Sequence, residues 1–365
     1  AEFVARGNPN WWLLAGLFAG LALQSKYTAA LLGVGLVLYL ISSRERWRWL
    51  LHWQVWAGGG LALLVVLPNL LWNAANGWLT LGFQGQRIGT RNWNLDTFAS
   101  FFGEFLAGQV LALGLFLFIF TVVGAVAFLR RAELPGRLNL ALPLFTGLPI
   151  LIFFAIYTLR YRAEANWPLP AWPMLSLVGA WAAVHVRPRN WLAGGVLAVF
   201  RQVQGPLGAL LLAVFYTQAV WQPFEVPPLL DRTRDMRGWE ELEREVALFR
   251  AREDARWIAV GPWDYGLAGE LTLHGRWMDR QPLLWGTNEA PRWTFLPPLD
   301  DGIASSPALM VVTTSMGSGI PERYFAQVEM VGEARRMAGE EELERFFVYR
   351  VSEPLPALRD VLGHR

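Results

Sequence analysis

The chain has 365 residues, a formal net charge of +2 and no cysteine, and 54% of its residues are apolar. Soluble chains contain about 45–50% apolar residues, so this composition, together with several long apolar runs, predicts a protein that crosses the membrane several times. The lack of cysteine excludes disulfides and Cys-ligated metals, and the small charge argues against nucleic-acid binding.

The first apolar stretch covers residues 11–41 and has two Gly- and Ala-rich halves, which meet at Gln24-Ser25-Lys26-Tyr27. A straight helix over this stretch would measure about 46 Å at ~1.5 Å per residue, whereas the hydrocarbon core is ~30 Å thick. The stretch therefore predicts a bent pair of short helices with the polar residues near the bend.

Lys26 is the only lysine of the chain and lies in the middle of this apolar stretch. A cation among membrane helices costs several kcal/mol unless it has a partner or reaches the interface. Two interpretations follow: Lys26 belongs to a functional anion site, or it extends to the lipid headgroups.

Further apolar runs predict the remaining membrane segments, for a total of seven helical segments when the bent pair counts as two. Residues 105–129 read as one spanning helix, and in the long run 191–221 only the part from residue 203 reads as a span, with the preceding residues at the interface. The predicted spans after the bent pair are residues 55–72, 105–129, 141–158, 168–186 and 203–222.

Arginine predicts the orientation of these segments. The loops 44–48, 130–137 and 187–189 are arginine-rich and fall on one side, which the positive-inside rule makes cytoplasmic. The segments 73–104 and 159–167 and everything after residue 222 then lie outside. We therefore expect a transmembrane domain over residues 1–222 and an extracytoplasmic domain over residues 223–365.

The tail predicts a small soluble α/β domain. Residues 238–249 have apolar positions at helical spacing, and residues 257–260, 308–312 and 346–349 are short apolar runs typical of buried strands. Strands that alternate with helices indicate an α/β fold. The four histidines have no metal-ligand spacing, so no metal site is predicted.

Arginines in the predicted outer segments are candidates for binding a phosphate. Positive charge is disfavoured on this side of a membrane, and the guanidinium fork suits a phosphate group. Pairing with Asp96, Glu104 or Glu164 is the alternative. The candidate arginines are Arg87, Arg160 and Arg162.

A patch of amide and aromatic side chains follows the second apolar run, with Trp78 and Gln84 among them. Amides hydrogen-bond sugar hydroxyls and aromatic rings stack on their C–H faces, so the patch favours sugar binding. Tryptophan at a membrane boundary is also ordinary, and this alternative stays open.

Residues 20–29, GLALQSKYTA, resemble a stretch of the bacterial family 39-like glycosyltransferases, which belong to the dolichyl-phosphate-mannose protein mannosyltransferase superfamily and have the GT-C membrane fold. Several further segments resemble that group, so the likeness covers nearly the whole chain. These segments are residues 72–87, Glu104 with Gln109, residues 162–168, residues 231–239 and residues 265–271.

The resemblance implies a polytopic α-helical membrane protein of GT-C type with a C-terminal soluble α/β domain, in the bacterial inner (plasma) membrane. It also implies a glycosyltransferase, hexosyl- or mannosyltransferase-like and without a cofactor, that moves a sugar from a polyprenyl-phosphate donor to a glycan, lipid or protein acceptor of the cell envelope on the outer face.

In that family the catalytic acid, usually Asp, lies in the first outer loop after the first membrane helix. We expect it upstream of Ala1, so no catalytic residue is assigned within residues 1–365, and these residues alone are expected to be inactive. Glu104 is a candidate substitute base, but an acid near a helix start is unremarkable.

The residues that match the family's segments receive roles by this resemblance and by their charge. Lys26, Arg87, Arg160 and Arg162 are expected to bind the donor phosphate. The sugar or the acceptor is expected to contact Trp78, Gln84, Glu164 and Asn166.

Two other function classes remain open at this point. A transporter or flippase of lipid-linked sugars would use the same cations during translocation, although such proteins often have inverted repeats, and none is visible. A non-catalytic scaffold would use the outer domain to bind cell-envelope partners.

Overall fold

Two units make up the chain, Ala1–Phe215 and Tyr216–Arg365, and each is described by itself. The computed structural model of the protein describes residues 7–86, 94–130, 133–136, 140–187, 190–226, 231, 233–261, 264–275, 284–286, 302, 305–314, 319–356 and 358.

The first unit is helical. Short 3₁₀ turns at Tyr27–Ala29, Arg48–Leu51 and Leu169–Ala171 connect or precede some of its α-helices. These helices are α1 (Trp11–Ser25), α2 (Ala30–Ile41), α3 (Arg44–Trp47), α4 (Trp53–Ala75), α5 (Leu79–Gln86), α6 (Leu95–Leu113), α7 (Leu115–Leu129), α8 (Ala141–Tyr157), α9 (Trp172–His185) and α10 (Trp191–Trp221), the last of which ends in the second unit.

The predicted single span over residues 105–129 is wrong. The structure has two helices here, α6 and α7, bent by 104° at the break. Gly114 lies between them with φ +81° and ψ 141°, a conformation that glycine adopts without steric cost. The helix α6 also begins at Leu95, so that much of the predicted outer segment 73–104 is helical.

The division of residues 191–222 into an interfacial part and a span is also wrong at the level of the backbone, because α10 runs through this region as one helix of 31 residues. Among the described residues, α4 and α10 are long and apolar enough to cross a membrane by length and composition. Up to four candidate spans result if two bent helix pairs, Tyr27–Ile41 with Arg44–Leu51 and α6 with α7, each count as one span. The helices α1 and α8 are shorter apolar helices.

Small residues let the helices of the first unit approach closely. A Cβ added to Gly16 of α1 would overlap the carbonyl of Gly58 of α4, and one added to Gly35 of α2 would overlap the carbonyl of Phe145 of α8. Close backbone contact of this kind is typical of membrane helices, whose association depends on packing.

The second unit contains a five-stranded mixed sheet in the order β2-β1-β3-β5-β4, in which β1 pairs in parallel with β2 and β3 while β5 pairs antiparallel with β3 and β4. The predicted helix over residues 238–249 and the three predicted strands are all present. The elements are α11 (Trp239–Arg252), β1 (Trp257–Val260), α12 (Tyr265–His274), β2 (Leu284–Gly286), β3 (Ala308–Thr313), β4 (Phe325–Ala338) and β5 (Glu341–Pro354).

Alternate residues of the sheet face two separate apolar cores. Ile258 and Val260 of β1 pack with Leu242 and Val246 of α11, whereas Trp257 of β1 belongs to a second cluster. Such alternation follows from the strand period of two residues. The short strands β1 and β3 are buried along their whole length, which explains their continuous apolar sequences.

Candidate functional site

The helix break between α1 and α2 occurs at Lys26, whose backbone is extended with φ −160° and ψ 126°. Tyr27–Ala29 then forms a 3₁₀ turn that continues into α2. The backbone N–H groups of Tyr27 and Thr28 donate no hydrogen bond to any described residue. A helix start with free N–H groups carries a partial positive charge and attracts anions.

The side chain of Lys26 is exposed and, within the described part of the chain, forms no ion pair or hydrogen bond. A membrane-embedded ammonium group needs a partner or access to water and headgroups. The cation of this site is therefore free to bind a ligand.

A cavity of about 410 Å³ lies against this break, within the usual size of ligand pockets, about 300–1,000 Å³. Its polar side consists of Lys26, Tyr27 and Thr28, and the rest is apolar, with aromatic residues from α8 and from the link before α9. The remaining lining residues are Ala30, Leu31, Leu81, Phe153, Phe154, Tyr157 and Trp167.

Thr28 lines the cavity. Its Oγ1 is buried and forms no hydrogen bond to a described residue. A buried hydroxyl without a hydrogen bond costs about 1–3 kcal/mol, so a ligand atom that accepts or donates here would satisfy it.

The aromatic wall is preorganised by its own contacts. Trp167 lies 5.9 Å from Phe154 and 5.7 Å from Tyr157 between ring centroids. The backbone N–H of Trp167 donates to the carbonyl of Glu164 at 3.0 Å, which turns the link so that Trp167 lies on α8. Rings of this kind fit the apolar faces of a sugar or a prenyl chain.

Arg162 and Arg160 differ in their contacts. The Nε of Arg162 lies 2.7 Å from Oε2 of Glu104, and 63% of the Arg162 side chain is exposed. This is one of the ion pairs considered as an alternative to phosphate binding. Arg160 is exposed and forms no ion pair with a described residue, and neither arginine is among the described lining residues of the cavity.

The predicted sugar- or acceptor-binding residues lie near the cavity in sequence but are not among its described lining residues. Trp78 is 47% exposed and has φ +59°, and Glu164 and Asn166 are exposed. Gln84 belongs to α5, but its side chain lies outside the described residues, as does the whole of Arg87.

Sequence reasoning did not single out several residues of the site. Thr28 lies two residues after Lys26, so its position could have indicated a role. Tyr157 and Phe154 lie in an apolar run whose pattern indicated only a membrane segment. Asn73 is fully buried next to Tyr27, and its amide in an apolar helix was a usable signal.

Groups of three or more His, Cys, Asp or Glu side chains that could hold a metal ion do not occur among the described residues. The cavity lining that the structure describes also lacks a carboxylate. Its chemistry is that of one cation, one partnerless hydroxyl and an aromatic surface.

Apolar helices of membrane-spanning length and a free cation at a helix break define a membrane protein with a candidate anion site. Residues 1–72 match the family model described as dolichyl-phosphate-mannose-protein mannosyltransferase. This match confirms the resemblance in the segment that carries Lys26, about a fifth of the chain, whose amino-terminal part is thus similar to membrane glycosyltransferases. Neither a curated protein nor a solved structure matches the chain.

Proposed function

We propose that the protein is a membrane glycosyltransferase of GT-C type that transfers a hexosyl or mannosyl group from a polyprenyl-phosphate donor to a cell-envelope acceptor on the outer face of the bacterial inner membrane. The observation that carries this proposal is the free ammonium group of Lys26, at a helix break beside a cavity of about 410 Å³. The family match of residues 1–72 supports the reaction class.

The reaction breaks the bond between the sugar C1 and the phosphate oxygen and forms a bond between C1 and an acceptor oxygen. The polyprenyl phosphate leaves with the electron pair of the broken bond, and the acceptor proton passes to a base. Negative charge therefore grows on the bridging phosphate oxygen, and a fixed cation beside it lowers the barrier.

Lys26 supplies this cation, and the free N–H groups of Tyr27 and Thr28 add the positive end of α2. The hydroxyl of Thr28 becomes a further donor for a phosphate oxygen once the side chain rotates toward the cavity, since its Oγ1 is buried. The aromatic wall takes the sugar ring or the first prenyl units. This arrangement binds an anion with an apolar neighbour, which is the chemical character of a lipid-linked sugar phosphate.

The arrangement of the chain in the membrane belongs to the same proposal. Arginine-rich loops mark the cytoplasmic side, and residues 223–365 form an extracytoplasmic domain beyond the transmembrane domain of residues 1–222. Arg160, with no ion pair to a described residue, is available to guide an anionic headgroup toward the site. Arg162 forms an ion pair with Glu104, and this pair has to break before Arg162 can bind the headgroup.

The test is Lys26→Met in the protein reconstituted in lipid nanodiscs, with decaprenyl monophosphate as the probe. Because a charge-assisted hydrogen bond contributes roughly 1.5–3 kcal/mol, we expect affinity to fall about 10- to 100-fold. Lys26→Arg should retain most of it. Arg48→Met is the matched control, since Arg48 is an exposed cation of another loop, and its affinity should equal that of the wild type.

Two results would contradict the proposal. Unchanged affinity of Lys26→Met for decaprenyl monophosphate would remove the phosphate role of this lysine. Equal losses in Lys26→Met and Arg48→Met would indicate that binding follows net charge at the membrane surface and needs no particular site.

A further inference from the structure

Asn73 of α4 is fully buried, with 0% of its surface exposed, and its amide is hydrogen-bonded on both sides. The Nδ2 group donates to the hydroxyl of Tyr27 at 3.0 Å and lies within 3.1 Å of Oδ1 of Asn69. Its Oδ1 accepts from the backbone N–H of Thr80 at 3.2 Å. A buried amide with this many partners connects the elements that supply them.

The first connection leads to the helix break. The hydroxyl of Tyr27 accepts from Asn73 and donates to Oδ1 of Asn69. Tyr27 directly follows Lys26 and lines the same cavity. The hydroxyl of Tyr27 thus bonds to α4 both as a donor and as an acceptor. These bonds also stabilise the position of the adjacent backbone, which carries Lys26.

The second connection leads to another part of the cavity lining. The carbonyl of Asn73 accepts from the N–H of Trp78 at 2.7 Å, and its side chain accepts from Thr80. These bonds hold the turn after α4, where Gly77 and Trp78 have φ +64° and +59°. The turn leads into α5, which supplies Leu81 to the cavity.

We propose that Asn73 is a positioning residue, whose buried amide connects the part of the cavity lining at Lys26 and Tyr27 with the part at Leu81. The inference rests on the proposed function, because it assigns to Asn73 the alignment of the phosphate-binding cation. An amide suits the position, because its Nδ2 group donates to Tyr27 while its Oδ1 accepts from Thr80.

The binding test compares Asn73→Ala and Tyr27→Phe with Asn76→Ala in nanodiscs, with decaprenyl monophosphate as the probe. Tyr27→Phe removes both bonds between Tyr27 and α4, whereas Asn73→Ala removes one of them together with the bond to Thr80, so affinity should fall about tenfold in each. Asn76 is the matched control, because it is exposed and its side chain bonds only within its own turn, to the carbonyl of Trp72 at 2.7 Å. Asn76→Ala should bind as the wild type does.

A double-mutant comparison separates positioning from a general loss of structure. If Asn73 acts through Lys26, Asn73→Ala should weaken binding much less in the Lys26→Met background than in the wild type. A loss of the same size in both backgrounds would overturn the inference. Tyr27→Phe keeps the ring in place and is the milder variant if Asn73→Ala lowers the yield of folded protein.

A spectroscopic measurement decides the inference even if Lys26 proves unimportant for binding. The chain has no cysteine, so Ala30→Cys with Leu81→Cys places spin labels on two lining residues of the cavity, one in α2 and one in α5. The distance distribution should be narrow in the otherwise wild-type chain and clearly broader after Asn73→Ala or Tyr27→Phe. An equally narrow distribution in both variants would overturn the inference, whereas broadening with unchanged Lys26→Met affinity would refute only the proposed function.

Discussion

An ammonium group in an apolar region needs either a partner or a route to water, and Lys26 is exposed without a partner among the described residues. A lysine that only reached for headgroups would not require a cavity beside it, nor an extended backbone at the middle of a helical stretch. The anion site is specific to this break, because Lys26 lies next to the Thr28 hydroxyl and to the backbone N–H groups of Tyr27 and Thr28. These N–H groups donate no hydrogen bond to a described residue.

Thr28→Val separates the roles of this hydroxyl in folding and in binding. Valine has nearly the same shape and lacks the buried hydroxyl, which forms no hydrogen bond to the described part of the chain. We expect the thermal unfolding midpoint to stay unchanged or rise, while affinity for decaprenyl monophosphate falls about three- to tenfold.

Thr28→Ser is the control for Thr28→Val, because it keeps the hydroxyl and should retain affinity. Unchanged affinity of Thr28→Val would mean that Oγ1 does not contact the phosphate. A lower unfolding midpoint would mean instead that the hydroxyl stabilises the chain itself.

At the residue scale, the sequence allowed prediction of charge but not of contacts. The position of Lys26 at a helix break could be predicted, because a polar group of residues interrupts an overlong apolar stretch. The choice of Arg162 between a phosphate and Glu104 could not be predicted, since it depends on which helix face meets the link. Asn73 lies 46 residues after its partner Tyr27, and such a bond leaves no local pattern.

Among the elements, the pair α1 and α4 depends on close backbone approach. Gly16→Ala would place its methyl group into the carbonyl of Gly58, and the two helices would have to separate. We expect a loss of stability on the order of 1–3 kcal/mol, as for other overpacked sites, measured as a lower denaturation midpoint in detergent.

The matched control is Gly33→Ala in α2, where an added Cβ meets no atom within 4 Å. This change should be neutral or stabilising by up to about 1 kcal/mol, because alanine favours a helix over glycine. Equal effects of the two substitutions would contradict the close approach of α1 and α4.

The bend between α6 and α7 could not be predicted from the apolar pattern of the sequence. Glycine is common in membrane helices, so Gly114 within a continuous apolar run gave no reason to interrupt residues 105–129. The 104° bend is a tertiary result: α6 meets the link after α8, where Gln109 donates to the carbonyl of Ala165 at 3.3 Å and accepts from Trp172 at 2.9 Å.

At the scale of the whole molecule, a cluster of charged residues stabilises the segment before α11 in the second unit. We call this cluster the domain clasp; it consists of Asp231, Arg234, Arg237, Arg336 and Glu344. Arg336 donates to the carbonyls of Arg234 and Arg237 at 3.1 and 3.0 Å and to Glu344 at 3.1 Å. The clasp fixes the segment before α11 to the hairpin of β4 and β5.

The ion pair of Asp231 and Arg237 makes the domain clasp sensitive to acid. Burial raises the pKa of Asp231, but hydrogen bonds from Thr233 and the charge of Arg237 outweigh it, so that the pKa lies below its ordinary value. The stabilisation is thus present above the unfolded-state pKa and is lost as the pH falls through the folded-state pKa.

We therefore expect hydrogen exchange of the segment around residues 233–237 to accelerate, relative to the sheet, as the solution is acidified below the ordinary pKa of an aspartate. Asp231→Asn should show faster exchange already at pH 7 and little further acceleration. Glu240→Gln is the control, since Glu240 forms only an exposed pair with Arg244. An acid response of Asp231→Asn equal to that of the wild type would contradict the assignment.

The architecture of the whole chain could be predicted only in outline. The helical amino-terminal part and the strands of the tail follow from apolar runs of different lengths. The sheet order β2-β1-β3-β5-β4 brings strands together that are far apart in sequence, so no local pattern encodes it.

The most direct test of the central claim is a cryo-EM structure of the protein in nanodiscs with bound decaprenyl monophosphate. The measured quantity is the distance between the phosphorus atom and Nζ of Lys26. We predict about 4 Å, as expected for a charge-assisted hydrogen bond to a phosphate oxygen, with the prenyl chain against the aromatic wall. A phosphate bound elsewhere, with the Lys26 ammonium in water, would contradict the account.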